Sequence, residues 1–210
     1  MSTYSHKTTD EFMSADDATL DQELLEQAGS ALHHSDHAHT HKLAITALMC
    51  AASLLLSFIQ IPIFPAAPWL MYDPSGVICL FAGLVLGPQT GVLVAVLSWL
   101  PRIFFDPFGT PMGILSTCAF LLPATILYAK TQSRTSCTKG LVLGAVLSII
   151  VACALNLVIT PFYAHIPMEQ VAAMIIPILL PFNALKMLVN ISLAQLAFKP
   201  VMHVFDQLMH

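Results

Sequence analysis

Pro181-Phe182-Asn183-Ala184-Leu185-Lys186 places an amide and a cation inside the last long apolar run of the chain, where no other residue carries charge. A lysine at the centre of a membrane helix costs about 2.5–3.5 kcal/mol on insertion scales, so it must face a partner, a wet cavity or a ligand. Asn183 stands three residues earlier. On a helix opened by Pro181 these two positions share a face, and amide and ammonium point into one space. The alternative is a lysine that snorkels to the interface, since Lys186 lies only about one and a half turns from Pro181. Asn156, a lone amide in the preceding apolar run, also needs a hydrogen-bond partner at membrane depth.

The elements that position these residues follow from composition. Of 210 residues 57% are hydrophobic and only 10% charged, against about 25% charged in soluble domains. The chain therefore reads as an all-α membrane protein, with six transmembrane helices in one bundle and a flexible polar N-terminal tail. The expected spans are Leu43 to Phe64, Ser75 to about Gly87, Val92 to Phe105, Met112 to Ala129, Leu141 to Phe162 and Phe182 to Phe198. Pro62, Pro65, Pro68 and Pro74 break the first helix into an ordered loop ending at Asp73, with Trp69 and Tyr72 placed as interface aromatics. A second loop, Asp106 to Pro111, brings Arg102 and Asp106 within pairing distance at its edge. Val171 to Leu180 reads as a short helix folded over the bundle mouth, and Lys199-Pro200 as the stop of the last span.

Lys42, Lys130, Arg134, Lys139 and Lys199 fall on one side of six alternating spans and only Arg102 near the other. Both termini are then cytoplasmic in a multi-pass protein of the cell membrane. The three loops, together with the start of the Asn183–Lys186 helix, face outside around a pocket.

The tail, residues 1 to 41, forms a separate region from the bundle of 42 to 210. It is acidic and then rich in histidine: His33, His34, His37, His39 and His41 stand beside Asp36. Such a tract could hold zinc, nickel or copper, or respond to pH near about 6.5. Without a second shell it binds loosely, and the signal is one of composition only. The formal net charge of −4 arises largely here. No basic patch points to nucleic acid, and the five cysteines are scattered through apolar runs as packing residues.

Several chemistries have no residues to carry them. No G-x-x-x-x-G-K-[ST] phosphate cradle occurs, and between residues 75 and 205 the only acids, Asp106 and Glu169, lie in expected loops, which disfavours ion coupling. There is no nucleophile with its base, no paired acid and no H-E-x-x-H, so the chain is not read as an enzyme and calls for no cofactor. What remains is capture of a small, polar, planar or anionic molecule, with a partner to move it. The competing reading is a membrane scaffold whose working part is the histidine tail.

An alanine-rich first helix, Leu70-Met71-Tyr72-Asp73 after the first loop, Gly87-Pro88-x-x-Gly91, Phe120-Leu121-Leu122-Pro123-Ala124-x-x-x-Tyr128 and Pro181-Phe182-Asn183-x-x-Lys186 together resemble the substrate-binding S components of energy-coupling factor transporters. The closest branch is that of the riboflavin transporters, with folate, pantothenate and other vitamin precursors as the remaining ligands. The resemblance covers residues 43 to 200. It implies that Asn183, Lys186 and Asn156 hydrogen-bond the polar edge of an isoalloxazine ring, with Tyr72, Asp73 and Trp69 contributing from the first loop. It implies further that Ala47 and Ala51, small residues four apart on the first helix, meet a transmembrane coupling subunit whose two ATPases supply power. Thr110-Pro111-Met112-Gly113 departs from the Glu-Leu-Ala-Asn run that opens the fourth helix in that branch, so a different pocket floor is expected.

Overall fold

A computed structural model describes residues 40–65 and 70–209. Two compact units are distinguished, Met1–Ile45 and Thr46–His210. Of the first, only the start of a helix is described, and His33, His34, His37 and His39 lie outside the described residues. His41 stands exposed within that helix. Trp69 also lies outside them.

The helices are α1 (Thr40–Ser57), α2 (Ser75–Leu86), α3 (Pro88–Trp99), α4 (Gly109–Thr131), α5 (Arg134–Ala164), α6 (Met168–Met174) and α7 (Leu180–Met209). A 3₁₀ turn, Leu100–Phe104, extends α3, and a π turn, Ile175–Leu179, joins α6 to α7. No strand occurs among the described residues; one antiparallel bridge, Ile61 to Tyr72, closes the loop after α1 with both N–H···O distances at 2.8 Å.

Four helical stretches, one of them the run from α6 through α7, are long and apolar enough to cross a membrane, and α2 is a shorter apolar helix. Even in α4 only 33% of the apolar window is buried. Its outward face, like the exposed Val142, Val146, Ile150 and Val158 on α5, is a surface for lipid rather than water. The protein is therefore a multi-pass membrane protein of all-α class.

Close helix contact explains the glycines that the bundle needs. Gly87, at φ 102°, turns α2 back into α3, a conformation that other residues rarely adopt, and Pro88 then opens α3. Within this hairpin a Cβ on Gly91 would lie 2.7 Å from Gly83 Cα, so the two backbones approach as only small residues permit. Buried Leu80, Val94, Phe120, Leu121 and Leu141 fill the core that α2, α3, α4 and α5 share. Ser53 of α1 joins the bundle through polar bonds, 3.1 Å to Ser98 Oγ on α3 and 3.2 Å to Cys79 Sγ on α2.

Several boundaries differ from expectation; the third span, expected from Val92 to Phe105, is α-helical from Pro88 to Trp99 and continues as the 3₁₀ turn to Phe104. The first helix ends at Ser57, short of Phe64, because the Pro62-to-Pro74 stretch and the Ile61–Tyr72 bridge claim the intervening residues. The fifth begins at Arg134, not Leu141: Thr138 bonds back to the Arg134 carbonyl, so most of the polar stretch between the expected fourth and fifth spans is helical. The last helix runs through Pro200 to Met209, since proline removes one donor without stopping an otherwise supported helix. Residues 168 to 179 form a short helix that continues through the π turn into α7. Pro181 lacks an N–H, and the wider turn accommodates the lost bond.

Candidate functional site

Lys186 lies in the second turn of α7 and does not snorkel. Its Nζ stands 3.5 Å from Asp73 Oδ2, with the two side chains 18% and 7% exposed. Asp73 ends the loop before α2. Its other oxygen accepts the Ser75 N–H at 3.3 Å and the Ser75 hydroxyl, satisfying a free donor at the start of that helix. The ion pair thus fixes the first loop to the last helix across 113 residues of sequence, the difference between positions 186 and 73.

The amides are held by their own helices. Asn183 Nδ2 donates to Leu179 O at 2.8 Å, a carbonyl at the end of the π turn. Asn156 Nδ2 donates to Ala152 O at 2.8 Å and its Oδ1 accepts from Thr160 at 3.2 Å. Both residues are 7% exposed. Each bond consumes one N–H and leaves the other free, and Asn183 Oδ1 has no partner among the described residues.

Asn183, Lys186, Asn156 and Asp73 line one cavity of about 590 Å³, within the range of small-molecule sites. Gln60, Leu70 and Met71 line it from the loop after α1. Met112, Gly113 and Ser116 of α4 form one wall; Thr160 and Tyr163 of α5 join Asn156 on another. Phe108 and Tyr163 meet at 5.7 Å between ring centres, tilted by 32°, and give the cavity an aromatic edge. The Trp99 ring lies so close to α4 that any Cβ on Gly113 would overlap it.

Tyr72 is placed differently from the site residues around it. It is 4% exposed, does not line the cavity, and donates its hydroxyl to Asn190 Oδ1 at 2.9 Å. Burial, and secondarily the neighbouring Asp73 carboxylate, push its pKa up to about 12. The expected Arg102–Asp106 pair does not form among the described residues. Arg102 instead donates to the Ser57 carbonyl and lies over the Trp99 ring at 4.8 Å, while Asp106 Oδ1 accepts the Gly109 N–H at 2.7 Å and caps α4. Trp99 and Arg102 both line the cavity and were not foreseen as doing so. The available signal was that Arg102 is the one basic residue between Lys42 and Lys130, a cation in apolar surroundings that merits the reading given to Lys186. Ala47 and Ala51 are exposed on one face of α1.

A helical membrane bundle with a cavity of small-molecule size, lined by polar side chains from several helices and by a loop, has the architecture of a solute-binding membrane protein. The description "ECF transporter, substrate-specific component" matches residues 41–197, and the chain belongs to that family, whose members are transport components and not enzymes. The chain is 31% identical over 154 residues to the riboflavin transporter RibU of Staphylococcus aureus, covering 69% of this chain and 82% of that protein. It is 26% identical over 183 residues to the riboflavin transporter RibU of Streptococcus thermophilus, covering 81% and 87% respectively. A solved structure of the S component of a bacterial ECF transporter superposes with a TM-score of 0.69 at 27% identity, over 79% of this chain and 98% of that one.

Proposed function

We propose that this chain captures riboflavin in an outward-facing cavity and hands it to partner subunits that drive uptake with ATP. The observation that carries the reading is the convergence of Asn183, Lys186 and Asn156 from two helices on one cavity of about 590 Å³. A planar imide edge offers both donors and acceptors, which matches amides with free N–H and C=O groups. Apolar and aromatic walls suit the ring system, and the similarity to two riboflavin transporters points to the same vitamin. Both termini are assigned to the cytoplasm from the distribution of lysine and arginine. The exposed Ala47 and Ala51 on α1 support that helix as the face that meets a transmembrane coupling subunit, itself served by two ATPases.

The test is direct. Full-length protein purified in detergent, without added nucleotide or ion gradient, is expected to carry a yellow fluorescent ligand identified as riboflavin by mass spectrometry. Retention of another vitamin, or no uptake of riboflavin by ligand-free protein, would overturn the assignment.

A further inference from the structure

Five of the chain's nine histidines fall between positions 33 and 41, ahead in sequence of the residues that line the cavity. Their spacing is that of a chelate. His33-x-x-x-His37, His37-x-x-x-His41 and His34-x-x-x-x-His39 each leave three or four residues between imidazoles, the separation at which histidines pair on zinc. Apart from Asp36 the intervening residues are small, Ser35, Ala38 and Thr40, and no lysine or arginine occurs from Thr8 to His41. No bulky side chain or fixed positive charge therefore keeps the rings from closing on one ion. His41 is the member that lies within the described residues. It stands in the first turn of α1 and is exposed, so its imidazole is open to an ion from solution.

The charge around the tract favours a cation. Eight of the chain's twelve acids lie in residues 1 to 41 against the single base Lys7, a local field that concentrates divalent ions. Charge alone would draw magnesium and calcium as readily, but those ions take oxygen ligands, whereas imidazole selects zinc, nickel and copper. The first cysteine after the tract, Cys50, stands inside α1. No thiolate joins the donor set, and the ion stays exchangeable rather than locked in a closed structural site. We infer that His33, His34, His37, His39 and His41 form a binding site for one exchangeable divalent transition-metal ion, independent of the cavity residues. Asp36, adjacent to His37, supplies the carboxylate that orients a ligating imidazole.

Full-length protein, purified in detergent without a polyhistidine tag, is titrated calorimetrically with Zn²⁺ and in parallel with Ni²⁺ and Mg²⁺. One Zn²⁺ per chain is expected, with Ni²⁺ competing for the same site and Mg²⁺ in large excess displacing neither. Replacing all five histidines by alanine should weaken Zn²⁺ binding by more than about 100-fold, beyond the roughly 10- to 100-fold cost of losing an outer-shell partner. Asp36→Asn should weaken it by about tenfold. The five-alanine variant should melt at the wild-type temperature, because every substituted residue precedes the buried core in sequence, and the lost binding is then not a loss of folding. Zn²⁺ bound with wild-type strength by that variant would overturn the inference and leave the ion to the acidic residues. Displacement of Zn²⁺ by Mg²⁺ would overturn it as well, and so would wild-type protein that takes up no Zn²⁺.

Discussion

Replacing Lys186 with methionine keeps the length of the side chain and removes its charge, so that Asp73 must bear a buried negative charge alone. At the observed 3.5 Å separation, two unit charges attract by about 5 kcal/mol at an effective dielectric of about 20. Desolvation of both groups offsets part of this, and stripping one partner from a buried pair ordinarily costs about 3–5 kcal/mol. Here Ser75 continues to donate to the carboxylate, so the loss in Lys186→Met should be lower, about 2–3 kcal/mol. The double variant Asp73→Asn with Lys186→Met removes both charges at nearly constant volume and should recover to within about 1 kcal/mol of wild type. Thermal unfolding in detergent reads these differences. Riboflavin titration reads a second quantity, because a hydrogen bond from a charged donor to the ligand contributes about 1.5–3 kcal/mol. The double variant should thus be stable and yet bind about 10- to 150-fold more weakly. Wild-type affinity in that variant would show that the lysine only clasps the loop and never touches the ligand. Undiminished stability in Lys186→Met would refute the clasp instead.

Asn183→Leu and Asn156→Leu should each weaken riboflavin binding by about 1–2 kcal/mol, measured calorimetrically, with small shifts in melting, because each amide donates only within its own helix. Tyr72→Phe loses the 2.9 Å bond to Asn190, about 1 kcal/mol. With its folded pKa raised to about 12 from an ordinary value of about 10, Tyr72 contributes stability that is complete below about pH 10 and fades as pH rises through about 12. The wild-type advantage over Tyr72→Phe in chemical unfolding should therefore shrink across that window and stay constant below it. Gly91→Ala should destabilise by about 1–3 kcal/mol, because the new methyl meets the Gly83 backbone at 2.7 Å. Gly76→Ala, whose Cβ has its nearest neighbours at 3.8 Å, should be tolerated and serves as the control in the same melting series.

Class and bundle were legible because a membrane imposes lengths: apolar stretches and proline-marked loops place α2 and α4 to within a few residues. Polar residues at helix ends misled. Lys130 to Lys139 and Lys199-Pro200 look like linker and stop, yet at the boundary of a bundle neighbouring helices hold such segments, as Gln195 does by donating to Thr138 at 2.8 Å. Asn183 and Lys186 could be placed together because helical spacing is local information. Asp73 could be named, from its loop, but its pairing with Lys186 depends on how two distant elements meet, which no spacing encodes. The same limit explains Arg102. A partner four residues away is the nearest candidate in sequence, but Asp106 is drawn off to cap α4 and the guanidinium reaches α1 instead.

The two cations of the cavity are therefore not equivalent, and the difference bears on selectivity. Lys186 with Asp73 is neutral as a pair, so the ammonium can donate to an uncharged ligand without making that end of the cavity a general sink for anions. Arg102 takes part in no ion pair among the described residues; it also lines the cavity, but its guanidinium donates to the Ser57 carbonyl and lies over the Trp99 ring.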